Sequence, residues 1–255
     1  MLWYRSWLET RWRFVGGLVL LILSAAGIVF AYRQFAALVP ALPTGDPNTE
    51  MGRRLQEAVQ LAGSYRGYVW SQWFRQNLSN TWTVFAVLLG TGGLLAQTAG
   101  GAALFTLSLP VSRRRLAGIR ATTGLVELFA LALVPSLVVA LLSPAVGEQY
   151  SLIDVLVHSA CFFIAGAVFF SLAFFLSTVW ADLWRPLMVA LSIAIVLGLC
   201  EQFSRDFARY GIFHVMNGED YFRAGAIPWL GLALSAALST AMLFGAVINL
   251  EHRDF

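Results

Sequence analysis

Along the chain, long apolar stretches alternate with short polar ones. The apolar stretches run to about twenty residues, the length that crosses a hydrocarbon core of roughly 30 Å as a helix. Six such blocks stand out, at residues 14–32, 81–104, 121–142, 152–179, 186–203 and 227–250. Runs of this length without a polar face predict membrane-spanning helices rather than the half-buried helices of a water-soluble core. The block at 152–179, about 42 Å long as a helix, exceeds the core and must tilt or project from it.

The polar intervals carry patterns of their own. Ahead of the first block, LWYRSWLETRWR sets Trp3, Tyr4, Trp7 and Trp12 among charges, which suits a helix lying in the headgroup layer or a simple aromatic anchor. Arg5, Arg11 and Arg13 before an apolar run, with Ala25, Ala26 and Gly27 inside it, imitate a signal peptide. The length of the run and the five blocks that follow argue against cleavage. Between residues 51 and 80, Leu55, Val59 and Ala62 recur at helical spacing and Tyr68, Trp70, Trp73 and Phe74 follow. This predicts a helix on the outer surface before the second span. The stretch FARYGIFHVMNGEDYFRAGAIPW, residues 207–229, is longer than a hairpin needs and can dip into the membrane edge where protein covers its backbone. The expected fold is an all-α membrane protein forming one domain, residues 1–255, with six transmembrane helices, an N-terminal interfacial helix and external, re-entrant helical segments.

Composition agrees: 58% of residues are hydrophobic and 12% charged, with a mean hydropathy of +0.71. Cys161 and Cys200 lie inside apolar blocks, with neither metal-ligand spacing nor a disulfide framework. All 17 residues of the Lys+Arg count are arginine. Without lysine there is no Walker A loop and no Schiff-base enzyme. HExxH, GxSxG and GxGxxG are absent too, so no catalytic, metal or cofactor residue is expected on this chain, and it is read as no enzyme. ATP and Mg, if they drive it, bind another chain. Nothing in the pattern points to nucleic acid.

Six spans divide the arginines nearly evenly, nine (5, 11, 13, 113, 114, 115, 120, 185, 253) against eight (33, 53, 54, 66, 75, 205, 209, 223). The cluster Arg113–Arg115 with Arg120 has no acid among it, whereas the loop from Arg33 to Arg75 contains Asp46, Glu50 and Glu57. The positive-inside rule then puts both termini in the cytoplasm.

Within the spans, Glu127 is an ionisable group that needs a partner, and Arg120, two turns away, is one choice. It is a candidate gate, or static interhelical glue. Gly92, Ala96 and Gly100 recur at four-residue intervals beside Gly93, Gln97 and Gly101, two small faces that permit close helix approach at a dimer or pathway surface. Glu201, Arg205, Asp206 and Arg209 fall at helical spacing after the fifth block, a solvated turn or an exit-side gate. His158 alone on an apolar helix reads as a hydrogen-bonding residue rather than a catalyst.

The stretch Gly101–Arg120, GAALFTLSLPVSRRRLAGIR, resembles the segment after the second span in permease subunits of the ABC-2 type exporter family, chiefly through Leu109, Pro110, Val111, Ser112 and Arg113. EHRDF at 251–255 and the six-span layout are similar to the family as well. The chain departs from the pattern at Gln97, Ala102 and Leu104, where the family commonly has an acid, a Thr and a Glu. The resemblance implies a cytoplasmic coupling helix at about 101–112, with Gly101, Leu104, Phe105, Leu107, Leu109, Pro110, Val111, Ser112 and Arg113 facing a groove on a separate ATPase subunit. Pro110 and Ser112 also suit a helix start on their own chemistry. The arginines suit anionic headgroups. It implies further partners: two ATPase chains, a second permease subunit of the same or a related kind, and the lipid of a bacterial inner membrane. It also implies export of a hydrophobic or amphipathic substrate. A membrane scaffold and an intramembrane enzyme are the other classes the sequence admits.

Overall fold

The computed structural model describes residues 2–38, 49, 52–53, 56, 59, 61, 63–91, 112–180, 182–203 and 211–251. Among these the chain is helical, with no strand. Helix α1 spans Leu2–Leu38. Helix α2, Tyr65–Val69, runs without a break through a π-helical segment, Trp70–Leu78, into α3, Ser79–Gly90. Then come α4 (Arg113–Leu142), α5 (Leu152–Val179), α6 (Trp184–Phe203), the short α7 (Ile212–Asn217) and α8 (Glu219–Ala224), and α9 (Trp229–Glu251). Five described helices are long and apolar enough to cross a membrane: α1, α4, α5, α6 and α9.

Local chemistry sets the boundaries. The Ser112 hydroxyl accepts from the Arg115 amide at the start of α4. Pro144 opens a 3₁₀ turn after it, and Gly147, at φ 83°, ends that turn. Gly218 and Gly225, at φ 61° and 69°, bound α8 at either end.

Helix α5 is the axis of the bundle. Its most apolar stretch is 67% buried, against 22% for α1 and α6 and 17% for α9, so the other helices are arranged around it with outer faces left for lipid. It packs most extensively against α9, and also against α3 and α4, while α1 packs on α4. In a bilayer, burial of apolar surface gives little net drive; close packing and interhelical hydrogen bonds must hold such helices together. They are present. The antiparallel pair formed by α2–α3 and α4 carries Tyr65 Oη to Ser143 Oγ (2.7 Å), Trp73 Nε1 to Ser136 Oγ (3.2 Å) and Trp82 Nε1 to the Leu128 carbonyl (3.1 Å).

Two expectations change here. The segment ahead of 14–32 is no separate interfacial helix but the first turns of α1, because nothing between Leu2 and Leu38 breaks the helix and Ser6 and Thr10 are buried. The helix that holds the start of the 81–104 block also begins earlier than residue 81, at Tyr65. The aromatics expected on the outer surface, Trp70, Trp73 and Phe74, are fully buried in the bundle, and the helix they belong to continues to Gly90. The rest of the 81–104 block, beyond Thr91, lies outside the described residues.

Candidate functional site

One end of the bundle gathers the charges. The polar residues of LETRWR place Glu9, Thr10 and Arg13 on neighbouring positions of α1, and Arg120 and Glu127 stand two turns apart on α4. Thr10 Oγ1 donates to Glu127 Oε1 at 2.6 Å, and Glu127 is only 4% exposed. One turn away, Arg120 Nη1 meets Glu9 Oε2 at 3.1 Å. Arg13 Nη1 donates to the carbonyls of Leu88 (2.8 Å) and Thr91 (3.0 Å). Those are carbonyls at the C-terminal end of α3, where the Leu88 carbonyl also accepts from Thr91 Oγ1 at 3.0 Å, and the positive guanidinium complements the negative end of the helix dipole.

At the rim, Arg114 forks onto the Glu251 carboxylate, with Nη2 2.8 Å from Oε2, and joins the start of α4 to the end of α9. This exposed pair contributes little on its own. The buried group differs. Removing one partner of such a cluster leaves a desolvated charge, at a cost of about 3–5 kcal/mol. The cluster therefore holds α1, α3 and α4 in one arrangement at the place where the chain leaves α3 at Thr91 and returns at Ser112.

Glu127 thus finds a buried partner, as its position demanded, but that partner is Thr10. Arg120 makes its ion pair with Glu9. Of the residues singled out for coupling, Ser112 begins α4 and Arg113 is its first residue, while Gly101, Leu104, Phe105, Leu107, Leu109, Pro110 and Val111 lie outside the described residues. Gly92, Gly93, Ala96, Gln97, Gly100 and Arg205 lie outside them too. Glu9 and Thr10 went unnoticed in the sequence, and Arg13 entered only as a topology signal. An acid, a threonine and an arginine inside one turn beside an apolar block were the available signal.

The opposite end holds a folded hairpin. Glu201, at the end of α6, is no solvated turn: its carboxylate accepts from the Phe213 amide (3.0 Å) and the His214 amide (3.2 Å), the free donors of α7. Met216 at the other end of α7 is fully buried, and a Cβ on Gly166, halfway along α5, would come 3.1 Å from its Sδ. The described part of this segment, from Gly211 onward, therefore packs into the bundle through α7. The Asn217 carbonyl accepts from Trp70 Nε1 (3.1 Å) and from His158 Nδ1 (3.2 Å). A carbonyl only accepts, so Nδ1 carries the hydrogen, and His158 acts as a structural donor.

Helix α8 lies outside. Phe222 stacks on Trp70 with centroids 4.4 Å apart, Tyr221 Oη donates to Asp154 Oδ1 at 3.0 Å, and Arg66 pairs with Asp154 Oδ2 at 2.8 Å. His214 lies between Glu219 Oε2 (3.2 Å) and Asp220 Oδ1 (3.1 Å). The hydrogen bond from His214 is the main reason that the Glu219 carboxyl is held down at about 2; the same bond raises His214 above its ordinary range. No group of histidine, cysteine and acids that could hold a metal occurs among the described residues.

No protein-family model, curated protein or solved structure matches the chain.

Proposed function

We propose that the chain is the transmembrane permease subunit of an ATP-driven exporter of the ABC-2 type, moving a hydrophobic or amphipathic substrate out of a bacterial cell. In this reading six helices span the inner membrane, the sixth being the continuous helix from Tyr65 to Gly90, and both termini face the cytoplasm. Two permease subunits pair, and two separate ATPase chains bind the nucleotide and its Mg.

The observation that carries the reading is the anchoring of both ends of the 92–111 segment. The carbonyl end of α3 is held by Arg13, and α4 begins at Ser112 and is tied to the same turns of α1 through Arg120–Glu9 and Glu127–Thr10. The 92–111 segment includes most of the stretch at about 101–112 that the resemblance reads as a coupling helix. A force applied to it by closing ATPase chains is delivered to α1, α3 and α4 together rather than lost in a loose loop. The hairpin α7–α8 covers the far end, where a cargo would leave. Rocking of the bundle on ATP closure would open that end, and hydrolysis would reset it.

The test is co-purification of the ATPase after Phe105 and Leu107 are changed to Ser. Insertion should survive, because every arginine is kept. Docking should be lost by orders of magnitude, since each large apolar side chain removed from a groove costs about 1.5–3 kcal/mol. An ATPase that still co-purifies, with substrate-stimulated hydrolysis intact, would remove the coupling role.

A further inference from the structure

The hairpin of α7 and α8 contains a brace whose chemistry is set by its geometry. Its two arms meet at Gly218, whose φ of 61° makes the sharp bend. Across the bend both ring nitrogens of His214, on the inner arm, face carboxylate oxygens of the outer arm, Nδ1 to Glu219 at 3.2 Å and Nε2 to Asp220 at 3.1 Å. A neutral imidazole has one N–H and one lone pair, so it can serve only one of these acceptors. The two contacts are jointly favourable only for the imidazolium. Loss of the proton turns one of them into lone pair against carboxylate.

We propose that this hairpin is a proton-sensitive lid on the bundle, closed while His214 bridges Glu219 and Asp220 as an imidazolium and released at the outer arm when that proton leaves.

The two arms are held unequally, which decides which one moves. The inner arm is immersed: Val215, Met216 and Asn217 are buried and Glu201 holds its first amides. The outer arm has no buried residue. It is attached from outside by Phe222, stacked on Trp70 and under Arg66, by Tyr221 on Asp154 and against the His158 ring, and by the His214 brace.

The neighbouring charges sharpen the response. On the outer arm Glu219 also accepts from Arg223 at 2.8 Å. From the π-helical segment Arg75 acts on Glu219, and from α6 Glu201 faces His214. On α5, Asp154 is engaged by Arg66 and Tyr221, and His158 by the Asn217 carbonyl. Helix α3 has no ionisable residue, and α9 has only Glu251, at its far end. With His214 charged, three cations (His214, Arg75, Arg223) balance three anions (Glu219, Asp220, Glu201). Without its proton the cluster holds one excess negative charge in a half-buried site, which favours opening. Because the partners raise the His214 value in the closed form, the brace is fully present below the free-imidazole range, about 6.5, and is lost as pH rises through the raised value.

The experiment uses the whole chain in lipid nanodiscs, without any ATPase, so its result stands apart from the exporter test. Histidine labelled with ¹⁵N reports the ring nitrogens, and the His214 signals are those lost in His214→Gln. A nitroxide on Ala224→Cys, with Cys161 and Cys200 replaced by Ala, reports the outer arm. The expected result is a His214 with both nitrogens protonated while the label is immobile, and a label that becomes mobile over the same pH interval in which His214 loses its proton. His214→Gln should leave the label mobile throughout, and His214→Arg, which keeps the charge, should leave it immobile throughout. A lone pair on His214 while the label is immobile, a label whose mobility ignores the titration, or a wild-type pH profile in His214→Arg would each overturn the proposal. If a variant fails to fold, the His signal that titrates together with the label in the wild-type chain decides, and the absence of any such signal refutes it.

Discussion

Thr10 donates its hydroxyl hydrogen to Glu127 across 2.6 Å, and the other carboxylate oxygen of Glu127 has no hydrogen-bond partner. One neutral donor thus supplies the hydrogen bond to a buried acidic side chain, while Arg120, the nearest cation on its own helix, pairs with Glu9 and acts on Glu127 through space. Thr10→Val keeps the shape of residue 10 and removes that donor. The expected loss is about 1–3 kcal/mol of stability, and Glu127→Gln in the same background should recover part of it, since a neutral amide tolerates the site better than a carboxylate. Thermal unfolding of the four chains of this cycle in detergent measures the coupling. Additive effects within about 0.5 kcal/mol would mean that Thr10 and Glu127 act independently.

Arg13 presents a different case, because its acceptors are main-chain carbonyls at the end of α3. Arg13→Gln should fray the last turn of that helix while leaving the tryptophan bonds higher up in place. Hydrogen exchange is the direct reading: the Thr91 amide, bonded to the Val87 carbonyl at 2.9 Å, should exchange at least tenfold faster, and amides near Trp82 should not change. If the ATPase partner is present, its stimulation by substrate should fall in the same variant without loss of its docking. Unaltered exchange at Thr91 would show that Arg13 is dispensable as a cap.

How far the sequence foretold this arrangement depends on what each side chain needs. The five helices α1, α4, α5, α6 and α9 were legible because unbroken apolar runs have one stable solution in lipid. The start of the helix from Tyr65 to Gly90 was misplaced because its first half is rich in Trp, Gln and Arg. Hydropathy counts those polar atoms as exposed, yet in the fold three of them are matched: Trp73 with Ser136, Asn77 with Ser24, Trp70 with the Asn217 carbonyl. Glu127 announced itself as an acid among apolar residues, but helical spacing reveals only neighbours on the same helix, and Thr10 is 117 positions away. The Glu201 cap was hidden for the same reason.

Small residues give a prediction about packing with an internal control. A Cβ on Gly166 would overlap the ring of Trp82, whose indole is itself fixed by the Leu128 carbonyl, and would crowd Met216. Gly27, on α1, has nothing within 4 Å of such a carbon. Gly166→Ala should therefore destabilise by about 1–3 kcal/mol despite the better helix propensity of alanine, whereas Gly27→Ala should be neutral or slightly stabilising. Melting temperatures in detergent compare the two. Equal effects would mean that α5 and α3 are less tightly packed at Trp82 than these contacts require.

Orientation remains to be tested by chemistry, and the bundle supplies two well-placed positions at its opposite ends. Ser112 is exposed at the start of α4, beside the Arg114–Glu251 pair, and Gln149 is exposed in the connection between α4 and α5, next to the buried Tyr150. Arginine bias argues that the Ser112 end is cytoplasmic, because translocating Arg113–Arg115 and Arg120 with no acid among them is the costlier choice. In a chain lacking Cys161 and Cys200, Gln149→Cys should react with a membrane-impermeant thiol reagent in intact cells, after the outer membrane is made permeable. Ser112→Cys should react only after the cells are opened. The opposite pattern would invert the orientation, put the 92–111 segment out of reach of any cytoplasmic ATPase, and so remove the proposed coupling together with the topology.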